Sequence, residues 1–198
     1  MSPADDRGAV FIDVVTGMAL ALLVIGLAQT WARAVLYNQK TLEAVAVARQ
    51  DATLALDAVA RDIRNAGFGL SNGAAPLIAA GKDHVELAAD HNADGDTADA
   101  HEHIRYAYRA DRRQMTRASG RGNAQPFVDD VAPAGVRFSY WDASATEIRS
   151  GPSGVNGADL ARIRRIDVRL VLELRNPDPQ ATVAVRTEAT VSVAMRNR

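Results

Sequence analysis

The sequence predicts an α+β fold: one long N-terminal helix followed by an antiparallel sheet. Three observations predict it. Residues 9–28 (AVFIDVVTGMALALLVIGLA) form a twenty-residue apolar run. Neither proline nor glycine occurs between Leu27 and Asn65. Beyond Gly69 the apolar residues recur at every second position, the period of a strand, instead of every third or fourth.

Composition narrows the function. The chain has 198 residues, with 23 Lys+Arg against 24 Asp+Glu, so a basic nucleic-acid binder is not expected. A hydrophobic share of 47% is enough for a folded core. The absence of cysteine excludes a disulfide framework, a thiolate zinc site and a cysteine nucleophile.

The apolar run contains one charge, Asp13. At a rise of about 1.5 Å per residue, such a helix matches a bilayer core of roughly 30 Å. The helical pattern then continues. Leu42, Val45, Ala52, Leu56, Val59 and Ile63 recur at spacings of three, four or seven, interrupted by Arg49. Polar residues, among them Asp51, Asp57, Arg61 and Asp62, fill the other faces. Gly67 and Gly69 end the helix. Trp31, just past the apolar run, reads as an interfacial anchor. A cleaved secretory signal has a shorter apolar stretch and a basic leader, whereas MSPADDRG carries Asp5 and Asp6. A plain signal anchor leaves Asp13 unexplained, because an aspartate inside a spanning helix costs about 2.5–3.5 kcal/mol.

Arg7-Gly8, then Ala9, then an acid five residues after the glycine, then an apolar run resembles the class III signal of type IV pilins and type II secretion pseudopilins. Asp stands where that family has Glu, and Ala9 where it has Phe or Met. Further on, residues 49–70 (RQDATLALDAVARDIRNAGFGL), 103–117 (HIRYAYRADRRQMTR) and 125–142 (QPFVDDVAPAGVRFSYWD) resemble the PilW-type minor pilins and the J-type pseudopilin. The resemblance implies a pilin-like fold with a leader at 1–8 and a transmembrane or filament-core helix at 9–28. An amphipathic helix at 29–66 and a β-sheet head at 67–198 follow. It implies that a prepilin peptidase cuts between Gly8 and Ala9 and that the new amine of Ala9 is methylated. It implies that Asp13 attracts the N-terminal amine of a neighbouring subunit. The partners implied are other pilin or minor pilin subunits, the peptidase and an inner-membrane assembly platform. The location implied is the inner membrane with a periplasmic head, then a filament. The role implied is assembly, or priming of assembly, with no enzymatic activity and no required cofactor. An alternative is a membrane-anchored periplasmic module that binds a ligand or calcium and never assembles.

In the head, Val85 and Leu87 flank Glu86, and Ile104, Tyr106 and Tyr108 alternate with Arg105 and Ala107. Val136, Phe138 and Tyr140 alternate likewise. Ile166 to Leu174 at every second position, and Val183, Val185, Ala189, Val191, Val193 and Met195, predict a long hairpin turned at 176–180 (NPDPQ). Residues 71–80 read as an irregular crossover and 150–157 (SGPSGVNG) as a flexible loop. Between the strands at 103–117 and 136–140 the resemblance to the PilW-type and J-type group implies a short helix or turn.

The most specific local pattern is Asp90-His-Asn92-Ala-Asp94-Gly95-Asp96, the opening of an EF-hand-type loop. Oxygen donors at positions 1, 3 and 5 converge on one cation because glycine at position 6 permits a sharp turn. Position 12 is His101, with Glu102 one residue late. The expected calcium ligands are Asp90, Asn92, Asp94 and Asp96, completed by Asp99 or Glu102; the rival reading is a solvated acidic turn. His101 and His103, if both lie on one strand, present their rings on one face, but no third zinc ligand accompanies them. Arg112, Arg113, Arg117 and Arg121 read as a solvated hairpin, with contact to a neighbouring subunit as the alternative.

Overall fold

A computed structural model describes residues 3–71 and 74–197, with side chains from Val10 on. Helix α1 runs Pro3–Asn65. Among the described residues, nine strands and one short helix follow: β1 Leu77–Ala80, β2 His84–Ala88, β3 His103–Arg109, β4 Gln114–Ser119, β5 Gln125–Val128, β6 Val131–Trp141, β7 Glu147–Ile148, α2 Gly157–Leu160, β8 Arg165–Leu174 and β9 Val185–Ala194. The protein is therefore α+β, with a long N-terminal helix and antiparallel sheets. The chain divides into two compact units, Met1–Glu43 with Asn176–Thr182, and Ala44–Arg175 with Val183–Arg198.

In the first unit the apolar side chains of α1 find no cover. Val14, Met18, Leu22 and Ile25 are all about half exposed or more, and Leu22 reaches 70%. The helix is long and apolar enough to cross a membrane. Its hydroxyls are satisfied internally: Thr16 Oγ1 donates to the Ile12 carbonyl at 2.8 Å and Thr30 Oγ1 to Leu27 at 2.8 Å. That is the arrangement a helix in hydrocarbon needs. In the 176–182 segment, Asn176 Oδ1 accepts the Asp178 N–H and Asp178 Oδ1 accepts the Gln180 N–H, two side-chain-closed turns.

The second unit contains the core. Ala48, Ala52, Ala55, Leu56, Val59, Ala60 and Ile63 of α1 are buried against residues of both sheets. The expected stripe is thus correct from Ala52 on, but Ala48, not Arg49, continues it, so the interruption disappears. Leu42, of the first unit, is exposed.

Two sheets stand where the sequence suggested one. The first has the order β1-β2-β3-β4-β5, the second β7-β6-β8-β9. The chain leaves the first sheet at Val128, turns through Asp129 and Asp130 (φ 54°), and enters the second at Val131. The region expected to hold a short helix or turn is strand β5 followed by this turn. Residues 71–80, expected to be irregular, end in β1. The β8–β9 hairpin is as expected and pairs from Arg165↔Ala194 to Leu174↔Val185. Val183 precedes it and is exposed.

The turn between β1 and β2 links the two sheets. Tyr140, fully buried on β6, donates its hydroxyl to the Gly81 carbonyl at 2.7 Å. The Phe138 N–H donates to the Lys82 carbonyl and the Val155 N–H to the Ala80 carbonyl. Burial holds the Tyr140 phenol far above its ordinary pKa, so it remains a donor. Val155 makes the 150–157 segment an anchored loop: Gly151 and Gly154 exchange backbone hydrogen bonds, and Asn156 caps α2.

The turn after α1 is fixed by backbone contact. The Gly67 N–H donates to the Ala88 carbonyl at 2.8 Å, and the Asp90 N–H to the Phe68 carbonyl at 2.7 Å. Gly69 has φ 71°, and a Cβ there would collide with the Asp90 carbonyl. Gly95 has φ 89°, but open space surrounds it. A positive φ alone costs an L-residue about 1–2 kcal/mol. Gly95→Ala should therefore lose about 1 kcal/mol and Gly69→Ala about 3 kcal/mol or more in urea unfolding. Equal losses would show that the 67–90 contact does not hold the helix end.

Candidate functional site

Gly8 and Ala9 belong to the helical backbone of α1, and the Ala9 side chain lies outside what the structure describes. Asp13 is exposed, and among the described residues its carboxylate makes no hydrogen bond or ion pair. Within the apolar stretch it is the single ionisable group, flanked by exposed Val10, Ile12, Val14 and Val15. Trp31 is 70% exposed at the end of this stretch.

The acidic loop follows β2, and its backbone winds around its own side chains. Asp90 Oδ1 accepts the Ala93 N–H at 2.6 Å and Oδ2 the Gly95 N–H at 3.1 Å. Ala93 takes φ 61° and Gly95 φ 89°, which turns the chain sharply. Glu102 reaches back from the far end of the loop, where its Oε1 accepts the His91 N–H at 2.8 Å and the Asn92 N–H at 3.2 Å. One carboxylate oxygen from each of Asp90, Asp94 and Glu102 lies within 4.8 Å of the other two.

The remaining expected ligands behave differently. Asn92 Oδ1 accepts the Asp94 N–H, while its Nδ2 donates to Asp94 Oδ2 at 2.9 Å and Asp99 Oδ2 at 3.0 Å. Asp96 Oδ1 accepts the Ala98 N–H, so Asp96 closes the next turn. The Asp96 N–H, and after it the Asn92 amide, hold the Asp94 carboxyl below the usual carboxylate range. A depressed folded pKa means stability that is present above the ordinary carboxylate value and is lost as pH falls through the folded one.

The paired-histidine reading does not hold. His101 sits in a turn at φ 73°, and only His103 is on β3, where its Nε2 lies 3.3 Å from Glu86 Oε2. His91 stacks on Phe68 with ring centroids 5.5 Å apart, which ties the loop to the helix end.

Arg117 and Asp62 are both only partly exposed, and they pair with each other instead of lying on separate solvated faces. Tyr106, fully buried on β3, donates its hydroxyl to Asp62 Oδ2 at 2.6 Å. Arg117 Nη2 donates to the same oxygen at 3.1 Å, and its Nε to the Tyr106 hydroxyl at 3.1 Å. Burial, and then the Asp62 charge, push the Tyr106 phenol far above its ordinary pKa, so it stays protonated and keeps donating. A groove of about 600 Å³ opens beside this cluster, lined by Arg61, Asp62, His91, Glu102, Arg117 and Phe127 among others. The cluster escaped the sequence reading because Asp62 falls on the edge of the apolar stripe. The spacing of Asp62 to Val59 and Ile63 was the available signal.

A scan against protein-family models finds no match, and a search of curated proteins finds no related sequence.

Removing Asp62 strands a half-buried guanidinium and a buried hydroxyl. Charge-assisted hydrogen bonds contribute about 1.5–3 kcal/mol, so Asp62→Ala should lose about 2–3 kcal/mol and Tyr106→Phe about 1 kcal/mol in denaturant unfolding. A loss no greater for Asp62→Ala than for Tyr106→Phe would remove Arg117 from the account.

Proposed function

We propose that this chain is a minor pilin or pseudopilin, most similar to the PilW type. It assembles into, or primes assembly of, a type IV pilus or a related secretion filament. The observation that carries the reading is Asp13, a carboxylate without a partner among the described residues, five positions after Gly8 on an apolar helix. Such a group in hydrocarbon needs a cation from elsewhere. An N-terminal amine on a neighbouring copy supplies one.

In this reading a peptidase cuts between Gly8 and Ala9, the Ala9 amine is methylated, and α1 holds the chain in the inner membrane with its head in the periplasm. On assembly the apolar surface passes from lipid to neighbouring helices. Ammonium and carboxylate attract strongly in low dielectric, and each is costly alone. The pair therefore selects the axial stagger at which the two groups meet; it acts on register more than on net stability. The second unit, with its own core, rides on the filament as the presented head.

A second reading is a membrane-anchored binding module that never assembles. The converging carboxylates of Asp90, Asp94 and Glu102 favour it. N-terminal mass spectrometry separates the two. The filament reading expects a mature chain beginning at N-methyl-Ala9; an intact Met1, or a cut near Ala28, would sink it. Asp13→Ala should leave the head folded while lowering filament incorporation about tenfold or more, the effect of losing roughly 1.4 kcal/mol or more of pairing. Unchanged incorporation would end the register role.

A further inference from the structure

We propose that the loop from Asp90 to Glu102 is a calcium site, with the carboxylates of Asp90, Asp94 and Glu102 as its protein ligands. Two observations carry it. The first is convergence. Three carboxylate oxygens lie within 4.8 Å of one another. No two ligands about 2.4 Å from one ion can be farther apart than that, and about 2.4 Å is the calcium–oxygen distance.

The second observation is independent of the loop's shape. Glu102 is 2% exposed, and its Oε2 is buried without a hydrogen-bond partner. Its other oxygen is bonded to the His91 and Asn92 N–H groups, so the carboxylate is held against the loop, among the Asp90 and Asp94 carboxylates. A buried carboxylate oxygen left unsatisfied beside two other carboxylates is strongly unfavourable. A cation satisfies it and offsets the mutual repulsion of all three groups.

The donors explain why the cation is calcium. All three are hard oxygen ligands with neither thiolate nor imidazole among them, which selects against zinc and copper. A loop of backbone turns suits calcium's flexible coordination better than the strict octahedron of magnesium. The hydrogen bonds to Asp90 do not compete, because an ionised carboxylate has about four lone-pair sites and Asp90 uses two. The Asn92 amide donates to both Asp94 and Asp99, so a neutral donor lies between those two carboxylates. The loop bonds to the turn after α1 through the Asp90 N–H and the His91–Phe68 stack. Calcium would therefore rigidify the connection between helix and sheets in a chain that has no disulfide. The site belongs to the head and does not rest on the filament reading.

The test uses the full chain in detergent, melted with CaCl2, with MgCl2 and with chelator. A site with Kd of about 10⁻⁴–10⁻³ M, filled at about 10 mM calcium, should raise Tm by roughly 3–8 °C. Glu102→Gln should abolish that rise while melting in chelator at or above the wild type, because the stranded charge is gone. If Glu102→Gln does not fold, Asp94→Asn, at an exposed position, should fold and lose at least half of the rise. Titration calorimetry with CaCl2 should report one site. No calcium-dependent rise in the wild type, or the same rise in the folded variants, would overturn the site. An equal rise with MgCl2 would overturn the choice of calcium. Filament incorporation enters none of these readouts, so this proposal and the filament proposal fail separately.

Discussion

One helix must satisfy two surroundings, and the rest of the structure follows from that. From Val10 to Leu36 the large apolar side chains of α1 are exposed among the described residues. From Ala48 to Ile63 the same helix is part of a core shared with two sheets. Burying an apolar side chain contributes about 1.5–3 kcal/mol, so a dozen uncovered ones represent a large unmet driving force. Water cannot meet it, whereas lipid or the helices of other copies can. The proposed membrane and filament roles begin from this imbalance.

The head depends on a few polar fasteners more than on mass. Asp62 binds α1 to the first sheet through Tyr106 and Arg117, and Tyr140 binds the second sheet to the β1–β2 turn. Both tyrosines are fully buried and stay protonated, so neither fastener loosens in the neutral range. Gly67 and Gly69 let the helix end fold back onto 88–90 by main-chain bonds alone. Many of the buried residues on α1 are alanines, which let the backbone lie close to the sheets. With no cysteine available, these contacts and the proposed calcium loop hold the helix-to-sheet connection.

Periodicity made much of this legible and concealed the rest. The strands with clean alternation, β2, β3, β6, β8 and β9, are readable from residues such as Val85, Tyr106, Phe138 and Leu170. The short strands are not. β1 and β5 have four residues each, and Pro126 in β5 speaks against a strand until its place at the sheet edge is known. The division into two sheets rests on a turn at Asp129 and Asp130 and on a bulge between Val131 and Val136, where Gly135 leaves no room for a Cβ beside the Val171 carbonyl. No pattern of apolar residues encodes that bend. Spacing in the acidic loop named Asp90, Asp94 and Glu102 together with Asn92 and Asp96. Asp94 and Asp96 each close the turn that follows them, and only the three-dimensional arrangement brings Asp94, and not Asp96, together with Asp90 and Glu102. Arg117 and Asp62 pair across 55 positions of chain, beyond the reach of any local rule.

In the proposed role, lipid covers the exposed apolar face of α1 before assembly, and a chain without native cysteine allows that cover to be measured directly. Single cysteines at Val14, Leu22 and, as a head control, Asp57 would be probed in intact membranes with a water-soluble maleimide. Cysteines at 14 and 22 should react at least about tenfold more slowly than cysteine at 57 and gain reactivity when detergent is added, as expected of groups inside a hydrocarbon core. Equal labelling of all three positions in intact membranes would contradict the account.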